Sequence, residues 1–130
     1  MGAKEKAAAL HQSGFNCAQS VLGALAGYTD LEETALLAAA GGFGGGVSCG
    51  EICGAASGAV MAFGLAFAGD DPADPERKRK VRQLTAEFNK RFRETFGCIR
   101  CQDLKRAGHP CPELIAWAAE TAETIIKENQ

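Results

Sequence analysis

Apolar residues recur along this chain at the three- and four-residue spacing of helices, and no segment alternates in the manner of a half-buried strand. Residues 3–12 form the first predicted helix. Ser13-Gly14 interrupts it, and a second runs from about Phe15 to Ala26, with Cys17 in its first turns. A turn at Gly27–Asp30 follows. Asp30 with Glu33 matches a capping box for a helix over about 31–40, which the glycine run Gly41–Gly46 ends. Ser48 with Glu51 is a second capping-box match. It predicts a helix from Cys49 to about Ala68, with Cys53 one turn inside it. That helix is apolar on every side and rich in Ala, Ser and Gly, as a central helix is.

Asp74-Pro75 is a helix start with its cap and its first-position proline. Val81, Leu84, Phe88, Phe92 and Phe96 form the buried stripe of the helix that follows, and Gly97 closes it. Residues 98–110 are expected to be mostly loop, with one turn near Gln102–Leu104. Pro112 at a first helical position, with Cys111 at the cap, opens the last helix, whose buried face includes Leu114, Ile115, Trp117, Ala122, Ile125 and Ile126. The expected fold is all-α: a single domain over residues 1–130, a five- to six-helix bundle around an Ala/Gly-rich central helix.

The 130 residues are enough to bury a substantial core without disulfides. A net charge of -2 gives no global attraction to nucleic acid or membrane. Eleven of the fourteen Lys and Arg residues lie between Arg77 and Arg106. They are interleaved with Glu87 and Glu94 on a helix that also carries the apolar stripe, so a solvated face accounts for them. The N-terminus shows no signal-peptide pattern, and the uncharged stretch Ile52–Gly69 is too Ala/Gly-rich for a membrane span. A cytoplasmic protein is expected.

In a reducing compartment, six cysteines point to metal binding or thiol redox chemistry rather than disulfide staples. They are Cys17, Cys49, Cys53, Cys98, Cys101 and Cys111, and two close pairs stand out: Cys49-x3-Cys53 and Cys98-x2-Cys101. Predicted helix starts carry Cys49, Cys53 and Cys111, a placement that favours the thiolate. The Cys98/Cys101 spacing suits a zinc knuckle, an iron–sulfur ligand pair or a redox dithiol. It is not a c-type haem site, because Gln102 stands where that motif needs His. His11 and His109 are further available ligands. The Gly41–Gly46 run follows a helix and lacks a Lys-Ser/Thr ending, so no nucleotide site is read from it. No hydrolase triad or zinc-protease motif is present, and whether the chain is an enzyme stays open.

Five stretches together resemble the C_GCAxxG_C_C family of redox-active proteins of bacteria and archaea: Phe15–Val21, Gly42–Gly46, Gly50–Ala59, Phe96–Leu104 and Cys111. The resemblance covers nearly the whole chain. It implies that the family's four cysteines are Cys17, Cys53, Cys101 and Cys111. A related domain occurs in split-Soret cytochromes with an iron–sulfur cluster, so the resemblance implies a [2Fe–2S]-type cluster, or zinc, on those four thiolates, with electron transfer to an unidentified redox partner. Cys49 and Cys98 depart from the pattern, as accessory ligands or resolving thiols. Two other readings stand beside this one. In the first, a thiol–disulfide protein or sensor works through Cys49/Cys53 or Cys98/Cys101, with Cys53 and Cys101 as its redox-active thiols. In the second, a non-catalytic module forms a homodimer across the small-residue helix Ala55–Ala68.

Overall fold

The computed structural model describes residues 1–130. It contains seven α-helices: α1 (Ala3–Gln12), α2 (Cys17–Ala24), α3 (Glu33–Ala39), α4 (Gly54–Phe67), α5 (Pro75–Phe96), α6 (Cys101–Arg106) and α7 (Cys111–Asn129). A 3₁₀ turn at Ala26–Tyr28 follows α2. The only β pairing is one antiparallel bridge between Ile52 and Arg100. The architecture is all-α, and no helix is long and apolar enough to cross a membrane.

Helix α4 is central, packing on α2, α5 and α7. Its small residues Ala55, Ala56, Gly58, Ala59 and Ala62 are buried within the chain itself, where they let the neighbouring helices approach. Below α4, α5 turns Leu84, Phe88, Phe92 and Phe96 inward. The Trp117 ring on α7 meets those of Phe88, Phe92 and Phe96 at centroid distances of 5.5, 5.5 and 5.4 Å, a favourable spacing for edge-on and tilted aromatic pairs. The N-terminal helix is tied to α7 through Glu123, whose carboxylate accepts from the Ala3 N–H at 3.1 Å and from the Tyr28 hydroxyl at 2.8 Å. Burial, and then this carboxylate, push the Tyr28 hydroxyl up to about 12.

Helix ends set by local chemistry fall where expected. Asp74 caps α5 by accepting from the N–H groups of Glu76 and Arg77, and Gly97 ends it in the left-handed conformation. Three expectations are corrected. The capping box at Asp30 does not form, and α3 starts two residues later than expected. Residues 98–110 include a helix, α6. The central helix starts at Gly54 rather than Cys49: Gly46–Gly50 is a wide irregular turn in which Val47 and Ser48 take φ of 58° and 59°.

Candidate functional site

Every one of the four family-pattern cysteines lies at the start of a helix. Cys17 is the first residue of α2, Cys101 of α6 and Cys111 of α7, and Cys53 caps α4. The four helix starts converge on one cavity of about 200 Å³, and all four of these cysteines line it. Its remaining lining includes Asn16, Gly45, Gly54, His11, Lys105 and His109. Cys49 and Cys98 do not line it. Cys49 is exposed on the irregular turn, its thiol 3.4 Å from the Gly46 carbonyl, and Cys98 is half-buried against the core.

Two devices hold three of the four helix starts. Asn16 forms a reciprocal capping box with Gln19, each side chain accepting from the other's backbone N–H at 2.9 Å. The Asn16 side chain also donates to the Gly41 carbonyl at 3.0 Å, which docks the glycine run on α2. The Ile52–Arg100 bridge fixes the two buried thiols: Cys53 N–H donates to the Ile99 carbonyl at 2.9 Å, and Cys101 N–H to the Glu51 carbonyl at 2.6 Å. Outside the bridge, the Arg100 guanidinium binds Glu51 at 3.2 and 3.4 Å. Two glycines make the close approach. Gly46 has φ of 66°, and a Cβ there would lie 2.9 Å from that of Cys101. A Cβ on Gly54 would collide with the Cys17 sulfur and come within 2.9 Å of the Phe43 carbonyl.

The charges explain how the empty thiols behave. Burial raises the Cys53 thiol from 9.0 to about 11; the Ala56 and Ala55 amides oppose this, while repulsion from Cys17 and Cys101 adds to it. Cys111 is also raised, first by burial and then by Cys17, with Lys105 pulling down and Cys101 pushing up. Cys17 and Cys101 thus each act on both Cys53 and Cys111, as members of one ring of sulfurs. Cys53 and Cys111, when free, hold their protons more tightly than ordinary thiols; a cationic group among the sulfurs would oppose that.

The Cys53 pKa is raised on folding, so the unfolded chain loses this proton first. The stabilisation is full below about pH 9 and is lost as pH rises to about 11. The loss is about 2–3 kcal/mol for two pH units. Urea unfolding of the metal-free protein at pH 8 and at pH 10.5 should show about 2 kcal/mol of this drop in the wild type and a smaller one in Cys53→Ala.

No three His, Cys, Asp or Glu side chains stand in the arrangement that holds a single metal ion. A lone tetrahedral zinc would need the four sulfurs at about 2.3 Å around one point. A [2Fe–2S] cluster is larger and takes four thiolates across two irons. The ring supplies that number, around a space that a side chain on Gly54 would invade.

Each close cysteine pair contributes one thiol to the cavity and leaves one outside it. Lys105 went unremarked in the sequence, as did Asn16 with Gln19, although Asn-x-x-Gln is itself a capping signal. The family model described as "Putative redox-active protein (C_GCAxxG_C_C)" matches residues 15–125, so the chain belongs to that family. No curated protein and no solved structure matches the chain.

Proposed function

We propose that this member of the family is an electron carrier that holds a [2Fe–2S]-type cluster on Cys17, Cys53, Cys101 and Cys111. One observation carries the reading: of six cysteines, these four and neither of the others line a single cavity. The cluster, when bound, supplies reversible one-electron transfer. The chain's own residues do the rest. Cys53 and Cys101 are the buried anchors, held by the backbone bridge, and Cys17 and Cys111 are the half-buried thiols nearer solvent. Four helix starts aim partial positive charge at the cavity, which favours thiolates and the added negative charge of the reduced state.

Thiol–disulfide exchange is supported less well. Thiolate is the attacking form, and Cys53 as a free thiol is held protonated at neutral pH. Within the Cys49/Cys53 pair, an exchange pathway would therefore use the exposed Cys49 as the attacking sulfur; the Cys98/Cys101 pair is untouched by this argument. Anaerobic reconstitution with iron and sulfide separates the two readings. The cluster reading expects a coloured protein with visible charge-transfer bands and two irons per chain. A colourless, iron-free protein after reconstitution would refute it.

A further inference from the structure

We infer that the mouth of the four-thiol cavity is a docking surface for an acidic electron-transfer protein. The inference takes its partner class from the electron-carrier reading above, but the binding it describes needs only the surface. Besides the thiols, the lining carries one fixed positive charge, that of Lys105. No Asp or Glu lines the cavity. Arg106 stands exposed beside Lys105 at the end of α6, and neither cation forms an ion pair. Glu113, exposed on the first turn of α7, offsets only part of this charge.

Electron transfer weakens steeply with distance, so a partner gains most by docking where the sulfurs come nearest the surface. That side is the mouth, since Cys17 and Cys111 are half-buried while Cys53 and Cys101 are buried. The larger cationic surface is elsewhere. Lys78 and Arg82 lie exposed and unpaired near the start of α5, and α5 is 22 residues, roughly 33 Å, long. It is the far end of α5, at Phe96, that leads toward Cys98 and Cys101. Total positive charge and proximity to the thiols therefore point to different faces, and proximity decides for an electron carrier. Opposite charges at the rim of such a contact act mainly on association and its salt dependence.

The test uses flavodoxin, a small acidic electron-transfer protein, as the probe, with the full chain in its reduced-thiol form and again after reconstitution. Binding should weaken as salt rises, and amide shifts in the wild type should map to His11, Lys105, Arg106 and His109. Lys105→Glu with Arg106→Glu should weaken binding by about tenfold, while Lys78→Glu with Arg82→Glu, the same change of charge, should have little effect. Absence of binding, shifts centred on the start of α5, or equal weakening by the two double variants would overturn the inference. So would tighter binding of the basic protein cytochrome c. Iron content, measured on the same samples, reports separately on the cluster reading.

Discussion

Replacing any one of Cys17, Cys53, Cys101 and Cys111 with Ser should abolish stable cluster binding, while Cys49→Ser and Cys98→Ser should leave it intact. The expected loss exceeds about 100-fold in affinity, because loss of a supporting partner alone costs about 10–100-fold. The contrast comes from position. The four line one cavity, whereas Cys49 is exposed on the turn over Gly46–Gly50 and Cys98 lies in the link between α5 and α6. Iron per chain after reconstitution, with circular dichroism to confirm folding, reads the result. Cys53 needs a second variant, since a serine hydroxyl at this N-cap position accepts from the Ala55 and Ala56 amides and so changes helix stability independently of the site. Cys53→Ala removes the ligand without burying a hydroxyl. If Cys49→Ser or Cys98→Ser emptied the site as completely as Cys101→Ser, the division of the six cysteines would be wrong.

Gly54→Ala should destabilise the protein and weaken cluster binding, whereas Gly64→Ala on the same helix should stabilise it. Alanine in place of an interior helical glycine ordinarily gains roughly 0.5–1 kcal/mol. At Gly64 a Cβ meets nothing within 4 Å, so that gain should appear in full. At Gly54 the Cβ collides with the Cys17 sulfur and crowds the Phe43 carbonyl, which belongs to backbone that cannot swing aside. Overpacking of this kind costs about 1–3 kcal/mol and outweighs the propensity gain. Urea unfolding of the two variants, with iron content, tests the opposite signs. Equal stabilisation by both would mean that α2 and α4 do not meet at the cavity as closely as described.

These two predictions rest on different parts of what the sequence made legible. Elements with strong local signals were readable: α5 from the Asp74-Pro75 start, the phenylalanine stripe and Gly97, and α7 from its apolar face. The segment from Gly46 to Cys53 was not. Ser48 and Glu51 match a capping box locally, but the bridge to Arg100 and the left-handed turn at Val47 and Ser48 prevail. The bridge joins residues 52 and 100, a pairing no local pattern encodes. Helix α6 was read only as one turn near Gln102–Leu104, because six residues are too few to display a period.

The site was legible in part. Spacing alone gathered the cysteines into two close pairs, and the resemblance divided them differently. The cavity lining follows the second division. Placement at helix starts was anticipated for Cys53 and Cys111, missed for Cys101, and misplaced at Cys49 because the central helix starts later than its capping signal suggests. Lys105 escaped notice because its importance is purely spatial: it is an ordinary basic residue in the last turn of a short helix until the fold sets it beside Cys111.

Native mass spectrometry of the anaerobically reconstituted protein tests the central proposal most directly, because it weighs the bound group on the intact fold. The four-thiol cavity predicts a chain heavier by two irons and two sulfides, a form absent from the Cys53→Ala and Cys101→Ser variants. A chain carrying a single zinc, or one lighter by the hydrogens of a disulfide and free of iron, would contradict it.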